Sequence, residues 1–273
     1  MLDALVTFFN DIPSWQRTAI LAGGLLFFWV LEGAVPILKM KYHRTRHLGV
    51  NVFFTVTTLI VNLLFAVAIV FASDWSVRNG FGVLQMLSMP VGLQILVGLL
   101  LLDLIGAYLI HWIEHKVYWM WRFHVVHHTD LHVDTTTALR HHPGESVFRA
   151  VFTMLAVLVA GAPIWLVMLY QSLSAFASQF NHANLRLPEW IDRLLSFVIV
   201  TPRMHRVHHH FTQPYTDTNY GNVFSVWDRL FGTFARMRQA DIVFGLDVYH
   251  KRDENLADLL KVPVDGESYV RPG

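Results

Sequence analysis

Long runs of apolar residues dominate the hydrophobic pattern of the chain. Three of them, at residues 19–38, 50–71 and 91–110, are each about 20 residues long. At about 1.5 Å per helical residue, such a run crosses roughly 30 Å of hydrocarbon. The first contains one charged residue, Glu32, the second contains none, and the third contains one acid, Asp103. The pattern therefore predicts three membrane-spanning helices.

A fourth apolar run covers residues 147–180 and is long enough to form two helices. Gly161-Ala162-Pro163 stands at its middle and supplies the residues of a tight turn. The run is therefore expected to form a helical hairpin that enters the bilayer wholly or in part. The expected fold is an all-α integral membrane protein with about four to five transmembrane or hairpin helices and a cytoplasmic helical cap.

Composition supports this fold class. Of the 273 residues, 54% are hydrophobic and only 15% are charged, whereas soluble domains carry about 25% charged residues. No Pro/Ser-rich or charged linker divides the chain, so residues 1–273 are expected to form a single membrane-embedded domain. The net charge of +1 gives no electrostatic basis for binding nucleic acid.

Basic residues predict the orientation in the membrane. Four of them lie between the first two apolar runs, whereas the next loop offers only Arg78. Because cytoplasmic loops are enriched in Lys and Arg, the loop between the first two runs is expected to be cytoplasmic. Counting the crossings then places every histidine from His111 to His210, and the C-terminus, on the cytoplasmic side. The four basic residues are Lys39, Lys41, Arg44 and Arg46.

The chain contains no cysteine and 16 histidines. Disulfides and thiolate-bound metals are therefore excluded, and a transition metal would need imidazole, carboxylate or water ligands. Three clusters have helical i, i+3 or i+4 spacing, which places imidazoles on one helix face. Eight such imidazoles exceed the four to six ligands of one ion, so the spacing favours two metals. The eight are His111, His115, His124, His127, His128, His205, His208 and His209.

Further motifs surround these clusters. Asp103 precedes His111 by eight residues, and Trp121-Arg122-Phe123 leads into His124. The other segments are Thr137-Ala-Leu-Arg140-His-His142-Pro143, Phe180-Asn-His182, Thr201-Pro202, Asn219-Tyr220-Gly221 and Trp227-Asp228-Arg229-Leu-Phe-Gly-Thr233. Across residues 103–233 the sequence resembles the fatty acid hydroxylase/sterol desaturase superfamily of membrane-bound, histidine-rich di-iron enzymes.

This resemblance implies an oxygen-dependent oxidoreductase that attacks an unactivated C–H bond of a membrane lipid, such as an acyl chain or a sterol. The implied cofactors are two Fe²⁺ ions and O₂, and zinc can enter as a misloaded metal. The resemblance implies ligand status for the eight clustered histidines and extends it to His142 and His182. His132, His141 and His210 match no ligand position and are expected to be polar residues of the cap.

Metal-bound imidazoles need hydrogen-bond partners that fix their tautomers. Asp103 lies about two turns before His111 on the same helical face and is the first candidate partner; Asp228 and Asn219 are others of the same kind. His142-Pro143-Gly144 is followed by Glu145 rather than a second glycine, which departs from the haem-binding pattern of cytochrome b5 domains. An external electron donor protein is therefore expected.

Two other classes remain open. His111-Trp-Ile-Glu114-His115 also fits the H-x-x-E-H signature of zinc metalloproteases, in which the glutamate activates water. A metal transporter could use histidine-rich segments to gather ions, although Glu32 and Asp103 are the only acids within the apolar runs. Within the oxygenase class, spacing does not separate hydroxylation from desaturation, nor does it identify the lipid.

The chain after Thr233 carries charged residues at helical spacings. It is expected to cover the metal site or to lie on the membrane surface. These residues include Arg236, Arg238, Asp241, Lys251, Arg252, Asp253 and Glu254.

Overall fold

The computed structural model describes residues 2–247 and 254–265. Within these ranges the chain forms helices and no β-strand, which confirms the predicted all-α class. The helices are α1 (Leu2–Asp11), α2 (Ser14–Ala34), α3 (Arg44–Arg78), α4 (Val83–Met86), α5 (Val91–Asp103), α6 (Ile110–Lys116), α7 (Tyr118–His128), α8 (Pro143–Ala160), α9 (Ile164–His182), α10 (Glu189–Leu195), α11 (Pro202–His208), α12 (Val226–Leu230) and α13 (Leu256–Lys261).

Four helical stretches of the described chain are long and apolar enough to cross a membrane: Ser14–Ala34, Arg44–Met86, Val91–Lys116 and Pro143–Ala160. Large apolar side chains on α3 point outward, and Val67 is 78% exposed. Such a surface is stable in contact with lipid and costly in contact with water. The protein is therefore an integral membrane protein.

The first span begins and ends earlier than predicted. The apolar run at residues 19–38 forms helix only as far as Ala34, and α2 begins at Ser14. Pro36 cannot donate a helical hydrogen bond, and Val35 leaves the helical conformation. Pro36 instead forms an isolated bridge with Leu185, which ties this segment to the chain after α9.

A turn joins two helices at the middle of residues 147–180, where the sequence places it. α8 ends at Ala160, Gly161 adopts a left-handed conformation with φ 67°, and Pro163 precedes α9. A Cβ on Gly161 would lie 2.5 Å from the carbonyl oxygen of Phe81. Only glycine therefore fits at this turn without a shift of the neighbouring backbone.

The third span continues beyond its predicted end. α5 is joined to α6 by a π-helical turn at Leu104–Leu109, so the three form one continuous helical stretch. The first histidine cluster, His111 and His115, lies at its end. A π-helical turn holds more residues than an α-helical one and changes the face on which later residues lie. Asp103 immediately precedes this turn in the chain, and His111 follows it.

The elements after α6 form a cap at one end of the helical bundle. Trp121 and Val125 of α7 pack against Phe54 of α3 and against Leu259 and Val262, in and just after α13. The C-terminal segment therefore contacts the cap. Lys251, Arg252 and Asp253 lie outside the described residues.

Buried polar contacts join the cap to α2 and α3. Glu32 accepts hydrogen bonds from the backbone N–H groups of Thr135 and Asn184 and pairs with Arg44 at 2.8 Å. His47 contacts both carboxylate oxygens of Asp130 at 2.9 Å. The basic loop between α2 and α3 therefore lies at the same end of the bundle as the cap.

Candidate metal centre

The structure brings nine histidines together at the junction of the bundle and the cap. Four helices position them: α6 through its last turns, α7 through the H-x-x-H-H spacing, α9 through its last residue and α11 with the residue after it. Thr201 and Pro202 fix the start of α11, because the Thr201 hydroxyl accepts the Met204 N–H and Pro202 occupies the first turn. The nine are His111, His115, His124, His127, His128, His182, His205, His208 and His209.

These residues form two groups of buried side chains. Within each group the candidate ligand atoms all lie within 4.8 Å of one another. The five-histidine group consists of His111, His115, His124, His128 and His208. The four-histidine group consists of His127, His182, His205 and His209. The groups are adjacent, since the ring centroids of His128 and His209 are 4.8 Å apart.

Backbone carbonyls orient several of the imidazoles. Nδ1 of His111 lies 2.8 Å from the Tyr220 carbonyl oxygen, Nδ1 of His208 lies 2.8 Å from that of Thr218, and Nδ1 of His182 lies 2.8 Å from that of Ser178. A carbonyl oxygen only accepts, so each of these Nδ1 atoms carries the proton. Nε2 is then unprotonated in each neutral ring and has a lone pair to offer.

Carboxylates orient two more rings of the five-histidine group. Nδ1 of His124 lies 2.8 Å from Glu145 Oε1, and Nδ1 of His115 lies 3.1 Å from Asp217 Oδ1. Lys116 pairs with the other oxygen of Asp217. Carboxylate–histidine pairs of this kind are typical of the surroundings of metal ions.

The inner nitrogens fit metal ions. Nε2 of His111, His115 and His208 is buried and has no hydrogen-bond partner within the described part of the chain. The Nε2 atoms of His124 and His128 are 3.2 Å apart, and Nε2 of His182 is 3.1 Å from Nε2 of both His127 and His205. Nitrogens bound to one ion at about 2.1 Å, at angles of roughly 90–110°, lie about 3.0–3.4 Å apart. The histidine groups could therefore bind metal.

The environment keeps these imidazoles neutral. Burial, together with nearby His208 and His209, holds the pKa of His128 well below its usual range. Burial lowers the pKa of His124 to about 3, even though Glu145 acts in the opposite direction. Neutral imidazole is the form that binds metal.

Glu145, His141 and Arg149 are site residues that the sequence reasoning missed. Glu145 Oε1 lies 2.8 Å from Nδ1 of both His124 and His141, and Arg149 donates to it from the next turn of α8. The His141 ring stacks on that of His127 with centroids 4.7 Å apart. His124, His141 and Glu145 thus form a third cluster of possible ligand atoms. The Arg140-His-His-Pro segment indicates that a histidine lies near the metal centre. The sequence alone does not determine whether that histidine is His141 or His142.

His142 does not join either histidine group, contrary to the ligand role expected for it. Its Nδ1 accepts the Gly144 N–H at 3.0 Å and caps the start of α8, while its Nε2 faces the Leu260 carbonyl oxygen at 3.3 Å. Both ring nitrogens are therefore occupied within the cap. His182, by contrast, lies in the four-histidine group.

Among the described residues Asp103 contacts no imidazole, contrary to the expectation that it directly orients His111. Its carboxylate accepts the backbone N–H groups of Val223 and Phe224, the indole N–H of Trp227 and the hydroxyl of Tyr170. The π-helical turn that follows Asp103 explains the difference, because it changes the face on which His111 lies. Asp103 fixes the chain after Tyr220 instead.

Asp228 and Asn219 act on this same segment. Asp228 accepts the N–H groups of Tyr220 and Gly221 at 2.7 and 3.0 Å and so fixes the carbonyl that orients His111. Burial raises the pKa of Asp228 to about 7, although these hydrogen bonds lower it. Asn219 has a positive φ of 53°, and its side chain donates to the carbonyls of Met204 and Ala235.

A cavity of about 510 Å³ lies between the membrane helices and the histidines. Its wall includes His111, His127, His182 and His205, while most of the remainder comes from α2, α3, α8 and α9. This volume lies in the usual range for small-molecule sites. The arrangement can place an elongated, partly apolar molecule against both histidine groups.

Comparison with known proteins identifies the class. A family model described as fatty acid hydroxylase matches residues 95–233, just over half of the chain. The sequence is 29% identical over 145 residues to ornithine lipid hydroxylase OlsE of Rhizobium tropici, covering 53% of this chain and 43% of that protein. It is 32% identical over 142 residues to alkylglycerol monooxygenase of Caenorhabditis elegans, covering 51% of this chain and 27% of that protein.

A cholesterol 25-hydroxylase-like protein of Danio rerio is 31% identical over 126 residues, covering 45% of this chain and 48% of that protein. In each of these three comparisons the chain spans less than half the length of the relative. No solved structure matches the chain. The fold and site define a membrane protein with histidine clusters that could bind metal. The chain belongs to the fatty acid hydroxylase family.

Proposed function

We propose that this protein is a membrane-bound di-iron oxygenase that uses O₂ to hydroxylate a C–H bond of a membrane lipid. The observation that carries the proposal is the convergence of two groups of buried, neutral imidazoles at a cavity within the bundle. Three similar proteins are named as hydroxylases or monooxygenases of lipids, which supports this reaction class.

In this proposal the five-histidine group and the four-histidine group each hold one iron ion. Two bound irons would supply the O₂-dependent oxidation of an unactivated C–H bond, for which no protein side chain is competent. The protein orients the ligands: carbonyls of Tyr220, Thr218 and Ser178 accept the Nδ1 protons, and Glu145 and Asp217 accept two more. Burial of the nine rings excludes bulk water from the reacting carbon.

Hydroxylation by O₂ places one oxygen atom in the product and one in water, and it consumes two electrons and two protons. The described residues contain no cysteine to act as a reductant. We therefore propose an external electron donor protein, which would approach from the cap side because membrane helices surround the remainder of the cavity.

Hydroxylation is preferred to desaturation because the names of the similar proteins specify hydroxylation or mono-oxygenation.

The zinc protease alternative is disfavoured by the position of Glu114. Its Oε2 accepts from Arg149 at 2.6 Å, and Glu114 is not among the residues of either histidine group. In a hydrolase of that class the glutamate must be free to take a proton from water.

We also propose that the metal centre faces the cytoplasm. The basic loop between α2 and α3 contacts the cap through Arg44 and through His47 at the start of α3. At its other end α3 finishes with Arg78, and no other basic residue follows it before α5. This asymmetry is the one that the positive-inside rule associates with a cytoplasmic loop.

Elemental analysis of the detergent-purified protein tests the metal centre. We expect about two metal ions per chain, with iron present or restoring O₂-dependent turnover of a lipid. Two zinc ions that iron cannot replace to give turnover would contradict the oxygenase chemistry. One zinc ion per chain would support the hydrolase, and a protein without any metal would contradict the metal centre itself.

A further inference from the structure

Arg17 lies in the wall of the same cavity that reaches the histidines. It is in the first turn of α2, at one end of a helical stretch long and apolar enough to cross a membrane. A cation in such a position is costly unless it has a partner or a function. Among the described residues no carboxylate forms an ion pair with Arg17.

The guanidinium of Arg17 turns toward α9. Its Nη2 lies 3.3 Å from the side-chain oxygen of Gln171, which lines the same cavity. An arginine that merely extended to the membrane surface would end in water. Here the amide of Gln171 accepts one N–H and leaves most of the five guanidinium donors available.

Arg17 and the histidines are at different levels of the cavity. Gln171 and His182 both lie on α9, eleven residues apart, which is about 16 Å along the helix axis. The cavity wall also includes side chains of α3 and α8 such as Thr58 and Ala150. A molecule that occupies the whole cavity therefore meets a cation at one level and the histidine groups at another.

We propose that Arg17, with Gln171, is a subsite for the anionic group of the lipid substrate, a carboxylate or a phosphate ester. The guanidinium would bind two oxygens of that group, as planar forks bind carboxylate and phosphate elsewhere. The hydrocarbon of the same molecule would then extend about 16 Å toward the histidines. This inference rests on the proposed function and makes Arg17 a specificity-determining residue for it.

The test is equilibrium binding of radiolabelled palmitate, measured against hexadecanol as an uncharged competitor of equal chain length. It uses the metal-loaded protein in detergent, without reductant, at a pH well above the carboxyl pKa. Wild-type protein should prefer palmitate by at least about tenfold, the effect expected of a charge-assisted contact. Arg17→Gln should abolish the preference, and Arg17→Lys should retain part of it.

Two variants control this result. Arg78→Gln removes another cation near the same end of the bundle, one paired with Asp74 at 2.9 Å and absent from the cavity wall, and should keep the preference for palmitate. Gln171→Glu places a carboxylate beside Arg17, which neutralises the half-buried cation and so should not impair folding. It should nevertheless abolish the preference for palmitate, because the added carboxylate occupies the guanidinium.

A wild-type protein that binds palmitate and hexadecanol equally would overturn the subsite. So would an unchanged preference in Arg17→Gln or, if that variant misfolds, in Gln171→Glu. Binding is measured without turnover, so failure of the subsite leaves metal content and O₂-dependent oxidation unaffected. Failure of the proposed function would appear instead as absent metal or absent oxidation in the wild-type protein.

Discussion

At the scale of single residues, the partner of one ring nitrogen decides what the other nitrogen can do. The Tyr220 carbonyl fixes the proton of His111 on Nδ1, which leaves Nε2 as a lone-pair donor inside the group. His142 illustrates the opposite case: both of its nitrogens have partners in the cap, so it has no lone pair directed at a metal. The tautomer therefore separates candidate ligands from structural histidines.

Replacement of His127 by alanine is expected to remove one metal ion. The four-histidine group would keep only three imidazoles, fewer than a closed four-coordinate site needs. Metal content should fall from about two ions to about one per chain, and lipid oxidation should be lost because the second metal is required. Elemental analysis and product detection on the same preparation measure both effects.

His132→Ala is the matched control. His132 is in the same cap but stacks on Tyr42 with centroids 4.8 Å apart and belongs to neither histidine group. It should retain both metals. Full activity in His127→Ala, or equal metal loss in His132→Ala, would contradict the assignment of ligands to the two groups.

Glu114→Gln is expected to preserve metal binding and O₂-dependent turnover. Glu114 accepts a hydrogen bond from Arg149 at 2.6 Å and lies 3.7 Å from Nδ1 of His124, beyond hydrogen-bond distance, and an amide can still accept from Arg149. Glu145→Gln should instead lower metal affinity about 10- to 100-fold, because it weakens the carboxylate contact with Nδ1 of His124. Competition with a graded chelator compares the two variants. Loss of turnover in Glu114→Gln with metal retained would favour a hydrolase.

Residue spacing predicts most of the candidate metal ligands but not how they divide into the two histidine groups. His124 and His128 are one helical turn apart, and the structure brings them to the same group, as the i, i+4 spacing favours. His127 lies in the other group because α9 and α11 bring His182 and His209 against it. Those approaches depend on tertiary packing over more than 50 residues of chain, which helical periodicity does not encode.

At the scale of elements, the segment between Asp217 and Thr233 works as a support for three imidazoles. Asp217, Thr218 and Tyr220 contact His115, His208 and His111, respectively. This segment contains little helix, so side-chain hydrogen bonds must hold its backbone in place. Asp103 and Asp228 provide them from α5 and α12.

Asp228→Asn is expected to weaken metal binding at the five-histidine group. The amide cannot accept the N–H groups of Tyr220 and Gly221 on both of its terminal atoms, so the carbonyl that orients His111 becomes less fixed. We expect about a tenfold faster release of one metal ion to a chelator, with the second ion unaffected. Metal release kinetics measured ion by ion check this.

Asp241→Asn serves as the control for that variant. Asp241 pairs with exposed Arg238 at 2.7 Å and contacts none of the supporting segment. Its metal release should match that of the wild-type protein. Equal release of both ions from Asp228→Asn, or release at the wild-type rate, would show that this segment does not orient His111.

The elements themselves follow from the sequence to different degrees. The hairpin turn at Gly161 is predictable because a glycine and a proline interrupt an apolar run. The π-helical turn at Leu104–Leu109 is not, since its apolar sequence is equally suited to an α-helix. Asp103, which precedes this turn, contacts a segment about 120 residues later. Local spacing does not encode so distant a contact, so it predicts His111 as the partner of Asp103 instead.

At the scale of the whole molecule, the apolar runs predict a membrane bundle, and the structure adds the cavity inside it. The cavity wall joins residues from α2, α3, α8 and α9, so no single helix carries a recognisable pattern for it. Small and polar residues such as Ala150 and Thr153 look like ordinary helix-packing positions in sequence. Their common function emerges only when the helices are assembled.

The orientation of the assembled molecule can be tested with single cysteines, because the natural chain contains none. Lys41→Cys lies in the basic loop beside the cap, and Asn79→Cys lies beyond the far end of α3; both positions are exposed. If the metal centre faces the cytoplasm, a membrane-impermeant thiol reagent applied to intact cells should label Asn79→Cys and leave Lys41→Cys unlabelled until the membrane is permeabilised. The positive-inside rule gives this direction. The reverse pattern would place the histidine groups on the outer side, and labelling of both positions in intact cells would contradict a fixed orientation.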